Sequence, residues 1–186
     1  MTATPRESSP SLGLVVVTWQ PGEDLDRFLD SLAAAVDPVP PVVVADNGST
    51  DGALERAAGR AGVTVVRTGG NLGYGGAANV GVRATDSDLV VVANPDILWH
   101  QESLAELVAA AERWPTAAAL GPAILTPAGD LYPSARSFPS LSRGIGHALL
   151  GWWWPRNRFT QSYRRERREP VEATAGWLSG SCLLLR

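Results

Sequence analysis

Lysine is absent: all sixteen basic residues of this 186-residue chain are arginine. With abundant alanine, this points to GC-rich coding and carries no mechanism. Cysteine is nearly absent. Cys182 stands alone in an apolar segment, which excludes a disulfide framework and reads as a buried, inert thiol. The two histidines, His100 and His147, have no metal-like spacing. No Ser-His-Asp or Cys-His arrangement can be drawn, and no internal repeat is visible. No apolar run approaches the roughly 18 residues of a membrane span. The polar, proline-rich start lacks the apolar core of a signal peptide, so a cytoplasmic location is expected. A net charge of −3 speaks against a general nucleic-acid binder.

The remaining composition, 45% hydrophobic and 19% charged, is that of a globular protein, and the length suits one domain. A chain of this size buries roughly 70% of its unfolded surface and needs no cross-links. Residues 1–11 read as a disordered tail. Leu12 to Thr18 is a first strand, broken by Pro21-Gly22. Leu25, Phe28, Leu29 and Leu32 then fall on one helical face. Val42 to Ala45 is a second strand, followed by an Asn47-Gly48 turn and a helix capped by Ser49 or Thr50, which runs to Gly62. Val63 to Val66 is a third strand, and the glycine-rich stretch 69–76 opens a helix ending near Ala84. Leu89 to Ala93 is a fourth strand, Gln101 to Arg113 a helix, and Ala117 to Leu125 strand-like. The alternation predicts an α/β fold with a mostly parallel, helix-covered sheet over 12–132. Beyond it, 133–186 opens a second region. Leu141, Ile145, Leu149 and Trp152 have helical spacing there. Trp152-Trp153-Trp154 and an arginine cluster from Arg156 to Arg168 follow, and 177–185 is strand-like.

The candidate chemistry lies at strand ends. Asn94-Pro95-Asp96 closes the apolar run Leu89–Ala93. Proline ends the strand, so Asp96 falls at the carboxyl edge of the sheet, where ligands bind in open α/β folds. Asp96, with Asn94 beside it, can hold a divalent cation that in turn holds a diphosphate; capping the next helix is the plainer alternative. Asp86-Ser87-Asp88 matches a D-x-D metal pattern but precedes its strand, which places it at the opposite edge as a solvated turn. Asp46 can accept the imide N3–H of a uracil or thymine ring, or bond its own backbone across Asn47-Gly48. Trp19 can flank a base or ribose, or simply pack. The glycine-rich loop, Gly73 included, is placed to approach a phosphate. Gly73 to Ala78 also fits G-x-G-x-x-A, with Asp96 about twenty residues on, as in an NAD-binding dehydrogenase. That fingerprint, however, sits normally on the first βα turn, and here it follows the third strand. The Trp152–Arg168 segment suits either an interfacial contact with anionic headgroups or diphosphates, or a packed helix and solvated charge run in which Glu166 and Glu169 offset arginines.

Val15-Val16-Val17-Thr18-Trp19, the Val44–Gly52 segment VADNGSTDG, the Asn71–Gly81 segment NLGYGGAANVG and Asn94-Pro95-Asp96, in this order, resemble the inverting GT-A glycosyltransferases of family 2, in their rhamnosyltransferase-like branch. The resemblance runs over nearly all of 12–186. Tyr132–Pro139 and Gly176–Cys182 are most similar to actinobacterial enzymes that transfer L-rhamnose from dTDP-rhamnose to N-acetylglucosaminyl-diphospho-decaprenol, at the start of the linker between peptidoglycan and arabinogalactan. The resemblance implies a GT-A fold, incomplete at its C-terminus, and a Mg²⁺ or Mn²⁺ cofactor. It implies that Thr18, Asp46 and Asn71 face the nucleotide, that Asp96 binds metal and diphosphate with Asn94 in support, and that Trp177, Ser179 and Gly180 line the sugar and acceptor end. It implies a dTDP-sugar donor, a polyprenyl-diphosphate acceptor and peripheral contact at the inner membrane face. Other nucleotide sugars, or a non-catalytic donor-binding module, fit the same motifs. The family's general base lies in an acidic motif downstream of the Trp177–Arg186 strand. A chain ending at Arg186 is expected to lack it and to transfer little sugar alone.

Overall fold

The computed structural model describes residues 10–136 and 171–186. Most of the expected tail, the helix pattern from Leu141 to Trp152, His147, the tryptophan triplet and the arginine cluster lie outside the described residues.

The β1 strand (Leu12–Thr18), β2 (Val42–Asp46) and β4 (Leu89–Ala93) are buried on both faces, as their unbroken apolar sequences require of parallel strands. With β3 (Val63–Arg67), β5 (Ala119–Leu120) and β10 (Cys182–Leu185) they form a six-stranded sheet in the order β3-β2-β1-β4-β10-β5. The first four strands are mutually parallel. The β10 strand is antiparallel to both β4 and β5. Of the helices, α1 (Asp24–Ala35) buries Leu25, Phe28, Leu29 and Leu32, while α3 (Gly73–Arg83) buries Ala77 and Gly81 and α4 (Ser103–Arg113) buries Leu104, Leu107 and Ala111. A Cβ at Gly81 would overlap Val15, so glycine is what lets α3 lie directly on the sheet.

Two expectations are corrected. The stretch 117–125 is not one strand, because Gly121-Pro122 interrupts it and its halves join different sheets. The helix after β2, α2 (Ala53–Ala58), starts from Gly52 at φ +78° and ends at Gly59. Neither Ser49 nor Thr50 caps it, because Ser49 is used elsewhere, as described below. Arg56 and Arg60 of this segment pair with Asp26 and Asp30 of α1.

The chain divides into two compact units, Met1–Pro122 with Gly180–Arg186, and Ala123–Ser179. In the second, β6 (Ile124–Leu125) and β7 (Leu131–Tyr132) form a hairpin, and β8 (Ala135–Arg136) pairs antiparallel with β9 (Trp177–Leu178).

Trp99, three residues past Asp96, anchors the chain after β4. It is 8% exposed, and its ring meets Phe28 of α1 edge-on at 5.8 Å. Its backbone N–H donates to Ser31 Oγ at 3.1 Å, and that hydroxyl donates to Phe28 O. The indole N–H has no partner among the described residues, so the side chain holds by packing. Trp99→Ala is expected to cost about 3–5 kcal/mol of stability, and Trp99→Phe, which loses no hydrogen bond, markedly less. Urea unfolding of both variants measures this.

Candidate functional site

Parallel pairing brings the ends of β1, β2 and β4 to one edge, with Thr18 beside Asp46 in register. Asp46 is fully buried. Its Oδ1 accepts from Thr18 Oγ1 (2.9 Å) and Ser49 Oγ (2.5 Å), and its Oδ2 from the backbone N–H of Gly48 and of Ser49 (2.9 Å each). A carboxylate has about four acceptor positions, and here all four are used. The turn-forming reading of Asp46 is therefore the one the bonds describe, and no position is left over for an imide N3–H. Thr18 is likewise buried, with its hydroxyl committed to Asp46. Burial pushes the Asp46 carboxyl up, but the hydrogen bonds from Ser49, Gly48 and Thr18 outweigh it and hold the group below the usual carboxylate range.

The same loop is tied outward. Gln20, at φ +50°, receives Thr50 N–H on its Oε1 and donates through Nε2 to Thr50 Oγ1, while its own N–H donates to Ser49 Oγ. Asp51 accepts Gly22 N–H at 2.7 Å and Ala53 N–H at 3.1 Å. Between these loops Trp19 stands 63% exposed, so it faces solvent and is not a packing residue.

Asn47 joins this loop to the glycine-rich one. It is buried. Its Oδ1 accepts Leu72 N–H at 3.1 Å and its Nδ2 donates to Gly73 O at 3.2 Å. Asn71 Oδ1 accepts Gly73 N–H at 2.9 Å. The Leu72 and Gly73 amides at the entry of α3 are thus bonded internally. A pyrophosphate held as in a dinucleotide fold would find these two already taken, which counts against the dehydrogenase alternative. Asn71 itself is exposed.

Asp96 is exposed just past β4, and Asn94 is half-buried, its N–H donating to Ser181 O at 2.9 Å. Among the described residues no three His, Cys, Asp or Glu side chains cluster to hold a metal. Asp96 offers a single carboxylate, the provision Mg²⁺ needs when substrate phosphates and water complete its shell. Asp88 lies at the opposite edge, where its carboxylate accepts the N–H and hydroxyl of Ser11. Gly180 belongs with the main sheet, whereas Trp177 and Ser179 belong to the second unit. Ser179 N–H donates to Ser134 O there. Cys182 is a buried thiol, pushed up to about 12 by burial, as expected. Sequence reasoning gave Gln20, Tyr74 and Trp99 no individual role, and gave Asn47 and Ser49 only those of a turn residue and a helix cap. A polar residue at or just past the end of a buried strand, as Asn47 is, was the signal available.

The mostly parallel sheet with helices packed on it, and an exposed acid just past β4, make this an α/β domain of the GT-A kind. The Glycosyl transferase family 2 profile matches residues 14–179, and the chain belongs to that family. It is 51% identical over 187 aligned residues to the N-acetylglucosaminyl-diphospho-decaprenol L-rhamnosyltransferases of two Mycobacterium tuberculosis strains, CDC 1551 and H37Rv. The match takes in 94% of this chain and 61% of each relative, so the chain spans about three fifths of their length. Among solved structures, the mannosyltransferase PcManGT of Pyrobaculum calidifontis, in complex with GDP-Man and Mn²⁺, is 27% identical at a TM-score of 0.57, covering 66% of this chain and 37% of that one. S. aureus TarS 1–349 with UDP-GlcNAc is 25% identical at 0.50, covering 55% and 31%.

Because the folded-state carboxyl of Asp46 lies below its unfolded value, its stabilisation is present above about pH 4 and is lost as pH falls through the folded pKa. Asp46→Asn, which sets an NH₂ against inward-pointing N–H donors, is expected to cost about 1–3 kcal/mol at pH 7. The gap from wild type should narrow below pH about 4, as measured by urea unfolding across that range.

Proposed function

We propose that this chain is the donor-binding part of a rhamnosyltransferase that moves L-rhamnose from dTDP-rhamnose to a polyprenyl-diphosphate-linked N-acetylglucosamine, with inversion at the sugar. The observation that carries this reading is the 51% identity, over 94% of the chain, to proteins named for that transfer. In the proposed site Trp19 and Asn71 meet the nucleotide, the glycine-rich loop at Gly73 borders it, and Thr18 and Asp46 act from beneath by holding the 47–51 loop. Asp96, with Asn94 next to it, binds Mg²⁺ or Mn²⁺ and through it the diphosphate. Such a cation neutralises the charge that develops on the departing diphosphate. The Mn²⁺ in the PcManGT complex supports a divalent ion. For Trp177, Ser179 and Gly180 the proposed role is recognition of the sugar or acceptor, on family resemblance. Among the described residues no helix is long and apolar enough to cross a membrane. The composition of Trp152–Arg168 supports peripheral contact with the inner membrane face.

A second reading keeps the site and changes the donor, since the neighbouring structures carry GDP-Man and UDP-GlcNAc. Calorimetric titration with dTDP-L-rhamnose, GDP-mannose and UDP-GlcNAc, each with Mn²⁺ or with chelator, separates the two. The dTDP sugar is expected to bind tightest and to need metal. Asp96→Ala is expected to weaken that binding about 10- to 100-fold, the equivalent of one charge-assisted contact. Metal-independent binding that survives Asp96→Ala would remove the proposed role of Asp96.

A further inference from the structure

Tyr74 does not belong to any role given so far, yet it makes a contact across 106 residues of sequence. Its hydroxyl donates to Gly180 O at 2.5 Å. Ser181 O, the next carbonyl along, accepts the N–H of Asn94 at 2.9 Å. Two successive carbonyls of the turn entering β10 are therefore held from two directions. One is held by the first turn of α3, the other by the Asn94-Pro95-Asp96 corner. A Cβ at Gly180 would lie 3.4 Å from Tyr74 Cε1, so the ring lies alongside the Gly180 backbone at van der Waals distance.

We propose that Tyr74 is a positioning residue for the Asp96 corner, acting through the Gly180–Ser181 turn, and that it tunes the binding of a metal-bound nucleoside diphosphate. This rests on the reading of Asp96 as the metal and diphosphate residue. The hydroxyl is a steady donor, because burial pushes the phenol up to about 12 and it stays protonated throughout the neutral range. Beyond the corner, Trp99 holds the chain from the far side. Asp96 thus sits on a segment fixed before it by Asn94 and after it by Trp99. The first of these fixings is only as firm as the turn that accepts it.

The test is Tyr74→Phe, which keeps the ring and removes one hydrogen bond. The probe is dTDP, titrated with Mn²⁺ and with chelator, alongside amide hydrogen exchange of the unliganded protein. Tyr74→Phe should speed exchange at the Asn94 amide and weaken Mn²⁺-dependent dTDP binding about fivefold, the scale of one neutral hydrogen bond. It should leave metal-free binding unchanged, and it should add nothing in an Asp96→Ala background. Equal losses with and without metal would show a general structural role and overturn the proposal. Unchanged exchange at Asn94 would overturn it as well, whatever the affinities. Failure of the wild-type protein to bind Mn²⁺–dTDP would instead overturn the donor-site reading on which it rests.

Discussion

A carboxylate inside a protein is tolerable only where donors surround it, and Asp46 collects four. Meeting that requirement shapes most of the sheet edge. Two donors are consecutive backbone N–H groups, which curl the chain after β2 back onto its own strand end. One is Thr18, which locks β1 to β2 at their last registered pair. The fourth is Ser49, whose hydroxyl oxygen also receives the Gln20 N–H, so the buried acid is linked by one intermediate to the loop that carries Trp19. Asn47 extends the chain of dependence by binding Leu72 and Gly73. From one desolvated acid, three loops at the carboxyl edge become mutually ordered.

The exposed acid follows the opposite logic. Asp96 is held through its neighbours, by the Asn94 N–H on Ser181 and by the buried Trp99, so its carboxylate is left to solvent. An acid already saturated with internal donors, as Asp46 is, has no lone pair for a cation. An acid positioned by flanking backbone and packing retains its own. The proposed division between Asp46 as organiser and Asp96 as ligand rests on where each obtains its hydrogen bonds, although both follow a run of valines and alanines.

This also marks how far the amino-acid order could be read. Strands β1 and β4 were legible to the residue because buried parallel strands are unbroken apolar runs, and strand polarity alone separated Asp96 from Asp88. The α2 cap was misread because Ser49 has the residue type of a cap, but its hydroxyl is taken by a tertiary partner, Asp46. Asp46 itself offered two readings, and only the positions of Thr18 and Ser49 decide between them. The split of 117–125 was signalled by Gly121-Pro122, which a strand-like hydropathy average hides. The tertiary roles of Gln20, Asn47 and Tyr74 were not legible because each acts through partners at least 21 residues away in sequence, a separation no local pattern encodes.

The antiparallel strand β10 completes the argument. A purely parallel β3-β2-β1-β4 sheet would leave β4, and so the Asp96 corner, at its edge, with the Asn94 N–H unpaired. Inserting β10 between β4 and β5 gives that N–H the Ser181 carbonyl and brings Gly180 under Tyr74. The glycine-rich loop, the acidic corner and the turn into β10 come from three distant stretches of chain. They meet because one late strand runs against the direction of its neighbour, and the geometry around Asp96 depends on that reversal as much as on Pro95.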